Sequence, residues 1–160
     1  MWNRLLFAID QFPSGRTALD FVTGFSQAHG SEVRVLHILE VPRLARVPPM
    51  ESPAEAERVV EDAVLTLRLA GIGAEGRARA GPAHEVAQRI VEEPLFWECD
   101  GIVLGSRRLH GMARLSGQGV RERVLRLSWL PVLIAPTPVP RGLVHPLGPP
   151  HRAGHPEDAP

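Results

Sequence analysis

Between Arg107 and Arg126 the sequence places six arginines, at 107, 108, 114, 121, 123 and 126, against one acid, Glu122. An arginine side chain presents a planar fork of donors that matches phosphate and carboxylate oxygens. The stretch is therefore chemically suited to hold an anion. It also contains Ser116-Gly117-Gln118-Gly119 immediately before a predicted helix. Backbone N–H groups freed by glycine at a helix start form an anion site by themselves. Arg107 and Arg108 fall on the loop and are read as ligand contacts. Arg123 and Arg126 are explained equally well as the solvated face of the helix, opposite Val120, Val124 and Leu127.

Other reactive residue types are sparse. Asp10 ends an apolar run, where a carboxylate can meet a ribose, an adenine or a metal, or can instead fix the following turn. His37 lies mid-strand and reads as a hydrogen-bonded interior residue. His84 falls in the first turn of a predicted helix and reads as a surface residue. Cys99, the only cysteine, excludes an internal disulfide and reads as a small buried side chain. His145, His151 and His155 match no zinc spacing. Gly105-Ser106-Arg107 lacks the second glycine of a nucleophile elbow, and no Walker-type phosphate loop is present. With no catalytic set, the expected activity is binding and not covalent catalysis.

The elements that must carry these residues follow from apolar patterning. Leu5 to Ile9, Val33 to Leu39, Gly101 to Leu104 and Pro131 to Ala135 are short apolar runs of the kind buried on both faces of a parallel sheet. Ala74 to Ala80 alternates small and polar residues, with Glu75, Arg77 and Arg79 on one side, which suits an edge strand. Between the runs lie helical stripes. The first is Ala18, Phe21, Val22 and Phe25, capped by Ser14 and ended by His29-Gly30. The second is Ala56, Val59, Val60, Ala63, Val64 and Leu67, begun by Ser52-Pro53-Ala54-Glu55 with its capping serine and reciprocal glutamate. The third is Val86, Ala87, Ile90 and Val91, opened by Gly81-Pro82 and stopped at Pro94. The fourth carries Val120, Val124 and Leu127.

Alternating strands and helices require parallel pairing with right-handed crossovers. Ligands of such sheets sit beyond the carboxyl ends of the strands, near the switch in strand order. Here those are the segments after Asp10, after Ile38 and after Gly105.

Length and composition agree with one domain. The chain has 160 residues, room for one core, and its 44% hydrophobic and 22% charged residues suit a globular protein. The formal net charge is zero, so nothing points to nucleic acid or an anionic membrane as partner. All 18 basic residues are arginine. No apolar run approaches the roughly 20 residues of a spanning helix. The apolar stretch ending at Asp10 is too short for a signal peptide, so the cytoplasm is the expected compartment. From Pro136 onward proline, glycine and histidine dominate, which predicts a domain over 1–136 and a disordered tail over 137–160.

Several segments together resemble the universal stress protein (UspA-like) family. They are Leu5 to Asp10 before a turn and helix, Leu36-His37-Ile38, Gly81-Pro82, Gly105-Ser106-Arg107 after an apolar strand, Val120 to Leu125, and Pro131 to Ile134. The resemblance spans residues 3 to 135. It implies a Rossmann-like, doubly wound α/β fold with five parallel strands in the order 3-2-1-4-5 and helices on both faces. It also implies a homodimer joined through the last strand, here Val132, Leu133 and Ile134.

Some members of that family bind ATP through Gly-x-x-Gly, nine residues, then Gly-Ser or Gly-Thr. Gly105 fills the first position here. Arg108 and Gln118 stand at the second and third glycines, and Gly119 stands at the hydroxyl. A one-residue shift brings Gly117 to the third glycine and leaves Gln118 at the hydroxyl. An arginine where φ must be positive costs about 1 kcal/mol or more and occupies phosphate space.

The resemblance therefore implies a stress-response binding and signalling module with weak or lost ATP binding. Its candidate ligand residues are Asp10, Ile38, Gly105, Ser106, Arg107, Arg108, Gly117, Gln118 and Gly119. Two alternatives stand beside it. One is an active ATP or AMP binder, or a slow ATPase, using Arg107, Arg108 and the 117–119 turn. The other is a partner-binding dimerisation module whose cleft is closed by Phe12 and Arg108.

Overall fold

The run Leu5 to Ile9 has no polar side chain to turn toward water, so it is stable as a strand only with both faces covered. The computed structural model, which describes residues 2–41, 51–105 and 119–136, places it at the centre of a five-stranded parallel sheet. The elements are β1 (Arg4–Ile9), α1 (Pro13–His29), β2 (Glu32–Val41), α2 (Pro53–Leu69), β3 (Ala74–Pro82), α3 (Val86–Trp97), β4 (Gly101–Leu104), α4 (Val120–Leu127) and β5 (Val132–Ile134). The strand order is β3-β2-β1-β4-β5, as the resemblance implies, and every pairing is parallel, as the alternation of strands and helices requires. No helix among the described residues is long and apolar enough to cross a membrane.

Alternation along the strands sends successive side chains to opposite faces. Leu5, Phe7, Val33 and Val35 pack against Ala18 and Val22 of α1 and Val60, Ala63 and Leu67 of α2. Leu6, Leu36, Ile38, Ile102 and Leu104 pack against Val86, Ala87, Ile90 and Val91 of α3 and Val124 of α4. Two cores, one per face, are what a doubly wound sheet requires. Gly76 on β3 lets α2 approach the sheet, since a Cβ there would come within 2.6 Å of Val60 Cγ1 and 2.8 Å of the Val35 carbonyl oxygen.

Helix boundaries follow the local chemistry with three differences. The Ser52 and Glu55 capping box at α2 forms as read, with Pro53 at the first position. The cap of α1 is Phe12, and Ser14 already lies inside the helix. Pro13 explains this: its fixed φ suits the first helical position, where no N–H is needed.

Gly81 and Pro82 belong to the end of β3, where they register with Glu40 and Val41, and α3 starts only at Val86. Proline is tolerated there because β3 is an edge strand. His84 accordingly sits in the turn before α3 and not in its first turn. Pro94 does not stop α3, which runs to Trp97 and ends at Glu98 with a left-handed φ of 52°. A proline removes one hydrogen bond of the ladder. The buried neighbours Ile90, Val91 and Glu93 hold the helix across it.

Candidate functional site

The switch in strand order falls between β1 and β4, whose register ends at Ala8 opposite Leu104. Asp10 and Gly105 therefore emerge side by side at the carboxyl edge of the sheet. The chain from β1 turns into α1 on one face, while the chain from β4 leads to α4 on the other. This is where a ligand of an open α/β sheet is accommodated.

The Asp10 corner is tightly specified. Its Oδ1 accepts the Phe12 N–H at 3.0 Å, so this carboxylate fixes the turn, one of the two roles its position suggests. The Gly15 N–H then bonds the Phe12 carbonyl at 2.8 Å. A Cβ on Gly15 would lie 2.6 Å from the Asp10 carbonyl oxygen, so only glycine lets α1 start this close to the corner. Gly105 faces Ala18 of α1, 3.8 Å from where its Cβ would be. Small residues on both sides thus keep the first turn of α1 against the ends of β1 and β4.

Ile38 lies one position beyond His37, which pairs with Ile9. Its side chain is buried in the core on the α3 and α4 side, so only its backbone can face a ligand. Gly119 is the N-cap of α4, with φ −60° and ψ 163°, and its carbonyl accepts the Arg123 N–H at 3.1 Å. Ser106, Arg107, Arg108, Gly117 and Gln118 lie outside the described residues. So do His145, His151, His155 and the predicted tail.

Along α4, Arg121 donates to Glu122 at 2.6 Å, and that bond holds the Glu122 carboxyl below its ordinary pKa. Val124 is buried as the helical stripe predicts, but Leu127 is 51% exposed. α4 is only eight residues long, and Leu127 is its last residue, followed two positions on by Trp129, itself 56% exposed.

Two features had no clear signature in the sequence. The first is a buried pair on the α1 and α2 face, His37 with Glu51, whose Nε2 and Oε2 lie 2.7 Å apart. His37 is interior and hydrogen-bonded as read, but its partner lies 14 residues away, beyond a proline-rich stretch of sequence. The second is Glu93 on α3, surrounded by Arg34, Arg77 and Arg79 from β2 and β3. The alternation in β3 signalled the arginines, but nothing in the sequence pointed to their common acceptor.

Cys99 is buried, and its thiol pKa is pushed up to about 12 by that burial first and then by the charges of Glu93 and Asp100. Burial and neighbouring charge both disfavour the thiolate that a nucleophilic cysteine needs. Among the described residues no group of three or more His, Cys, Asp or Glu is placed to hold a metal ion.

This fold and edge define a class: a doubly wound α/β domain whose strand order switches between the first and fourth strands. The sequence matches the profile of the Universal stress protein family over residues 1–136. The chain belongs to that family. It is 27% identical over 144 residues to the universal stress protein Sll1654 of Synechocystis sp., covering 85% of this chain and 87% of the relative. The fold is similar to that of a universal stress protein solved in complex with cAMP, with a TM-score of 0.64, 21% identity and coverage of 83% and 95% of the two chains. It is also similar to the universal stress protein from Archaeoglobus fulgidus in complex with dAMP, with a TM-score of 0.61, 21% identity and coverage of 83% and 97%.

Proposed function

We propose that this chain is a dimeric, non-catalytic binding and signalling module whose crevice takes an adenine mononucleotide in preference to ATP. The observation that carries the reading is a contrast between the Asp10 corner and the glycine pattern that follows β4. Asp10, Gly15 and Gly105 bring the ends of β1 and β4 close to the first turn of α1, while in the sequence Arg108 and Gln118 stand where the ATP-binding members of the family have glycines. A mononucleotide needs the first and few contacts from the second. ATP needs the glycine-lined loop for its outer phosphates. The cAMP and dAMP complexes of the two structural relatives support a ligand of that size.

A second reading has its own support. The arginines at 107 and 108 supply charge-assisted donors that can take over from lost backbone contacts, making the chain an active ATP binder. Calorimetry with AMP and with ATP on the purified full chain separates the two, alongside mass spectrometry of any small molecule released from it. Tighter ATP than AMP binding would overturn the first reading. Binding of neither would leave a dimerisation module without a nucleotide.

The dimer is expected at β5. It is an edge strand, and Val132, Leu133 and Ile134 are all half-buried in the single chain. Exposed Leu125, Leu127 and Trp129 lie in the segment leading into it. An open apolar edge of this kind is a pairing surface.

A further inference from the structure

We propose that His37 and Glu51 form a positioning pair that holds the Ile9–Asp10 corner of the crevice in fixed relation to the start of α2. The proposal rests on the reading of that corner as part of the ligand site.

His37 bridges two chain segments that no secondary-structure ladder joins. Its Nδ1 lies 2.9 Å from the Ile9 carbonyl oxygen. A carbonyl can only accept, so Nδ1 carries the proton and donates it. Its Nε2 lies 2.7 Å from Glu51 Oε2, with a proton between the two atoms. Ile9 is the last residue of β1 and Glu51 immediately precedes Ser52, the N-cap of α2. From Ile9 the path continues through Asp10, whose carboxylate takes the Phe12 N–H, to the first turn of α1. The corner that faces the crevice and the start of α2 are thus tied to one imidazole.

Burial makes the arrangement specific. His37 is 4% exposed and Glu51 is 5% exposed. The other oxygen of Glu51, Oε1, is buried with no hydrogen-bond partner among the described residues, and among those residues His37 is what orients this carboxylate. Burying such a pair is less favourable than filling the space with apolar side chains. What it supplies in return is one defined geometry, because turning the imidazole away gives up both of its hydrogen bonds and leaves further buried polar atoms unsatisfied.

The test separates the two bonds of the imidazole. His37→Asn keeps a donor at the Nδ1 position and loses the reach to Glu51. His37→Gln keeps the reach to Glu51 and loses the donor to Ile9. Glu51→Gln keeps a hydrogen bond to His37. Amide hydrogen exchange is followed by NMR on the full chain at Phe12, at Glu55 and at Ile102, whose N–H bonds the Pro131 carbonyl in the sheet.

In His37→Gln the Phe12 amide is expected to exchange about tenfold faster relative to Ile102, the scale of one lost hydrogen bond. In His37→Asn the Phe12 amide should stay within about twofold while Glu55, held by the Ser52 cap, accelerates by a similar factor. Glu51→Gln should leave both nearly unchanged. Phe12 and Ile102 changing in parallel in both His37 variants would overturn the proposal, because the pair would then only fill the core. Should His37→Gln not fold, Glu51→Ala gives the same contrast from the other side: Glu55 accelerates and Phe12 does not. The two sites accelerating equally would again overturn it. AMP affinity is measured separately. A tenfold loss in His37→Gln extends the role to the ligand, whereas no AMP binding by the unmodified chain defeats the nucleotide reading and leaves the amide comparison to decide the pair.

Discussion

Arg77 and Glu93 form a two-pronged ion pair: the guanidinium donates at 2.9 Å to one carboxylate oxygen and at 2.6 Å to the other, and Glu93 is 1% exposed. Arg79 and Arg34 add contacts at 3.4 and 3.5 Å. The face of β3 turned toward α3 is therefore polar and satisfied, which also blunts that edge of the sheet against unwanted pairing.

Removing Glu93 should be costly. Glu93→Ala leaves the largely buried Arg34 without this acceptor, while Arg77 and Arg79 can turn partly to water. We expect a loss near the lower end for broken buried pairs, about 3 kcal/mol, seen as a fall in Tm of roughly 10 °C. The pH dependence follows from the direction of the shift. Burial opposes ionisation of Glu93, but the hydrogen bonds and charge of Arg77, with Arg34 and Arg79, outweigh it and hold the pKa below the ordinary value. A depressed folded pKa stabilises the fold above the unfolded value, near 4.3, and that stability is lost as pH falls through the folded value. Wild type should therefore lose stability below about pH 4 more steeply than Glu93→Gln. Equal acid slopes would contradict this account.

Cys99 should be silent in the native state. With its pKa at about 12, the thiolate is scarce at pH 8, and the sulfur is buried. A disulfide reagent is expected to label it only after denaturant is added. Rapid stoichiometric labelling of the folded chain would show that the α3–β4 junction opens.

The position of Gly119 makes the phosphate side open to repair. Its φ of −60° and ψ of 163° are available to any residue, and serine is favoured at a helix N-cap. Gly119→Ser alone should leave the melt unchanged or raise it slightly. Combined with Arg108→Gly and Gln118→Gly, it should strengthen ATP binding by about tenfold or more, each charge-assisted or capping hydrogen bond to phosphate contributing roughly 1.5–3 kcal/mol. Calorimetry decides this, and a triple variant that binds no ATP would place the obstruction elsewhere, with Phe12 the next residue to test.

Assembly is testable at the apolar segment before β5. Leu127→Glu with Trp129→Glu changes two exposed side chains, so the monomer's fold should be preserved. If the segment is buried between two copies, each loses about 1.5–3 kcal/mol of apolar burial. Sedimentation should then show a dimer for the unmodified chain at micromolar concentration and a monomer for the variant. A monomeric unmodified chain would end the idea.

Most of the fold was legible along the chain because burial on both faces of a parallel sheet leaves a local mark. Leu5 to Ile9 and Gly101 to Leu104 are continuous apolar runs, and β3, at the edge, alternates. Helix boundaries were less legible where one residue has two roles. Pro94 reads as a stop, yet it sits inside α3, because the burial of Glu93 and Ile90 outweighs one missing hydrogen bond. Leu127 reads as core, yet it is the last residue of an eight-residue α4 and half its surface stays exposed.

The sequence by itself determined the element order and the parallel pairing, since these follow from residue patterns that each strand and helix carries locally, while the order 3-2-1-4-5 was implied by the family resemblance. It also determined the departures at Arg108 and Gln118, which are matters of residue identity. Only the tertiary structure decided which charged groups meet. His37 and Glu51 are brought together by the β2–α2 crossover, and Arg34, Arg77 and Arg79 reach Glu93 because α3 packs back across β2 and β3. Pairing of buried polar groups depends on distance through space across different elements, and no local periodicity encodes it.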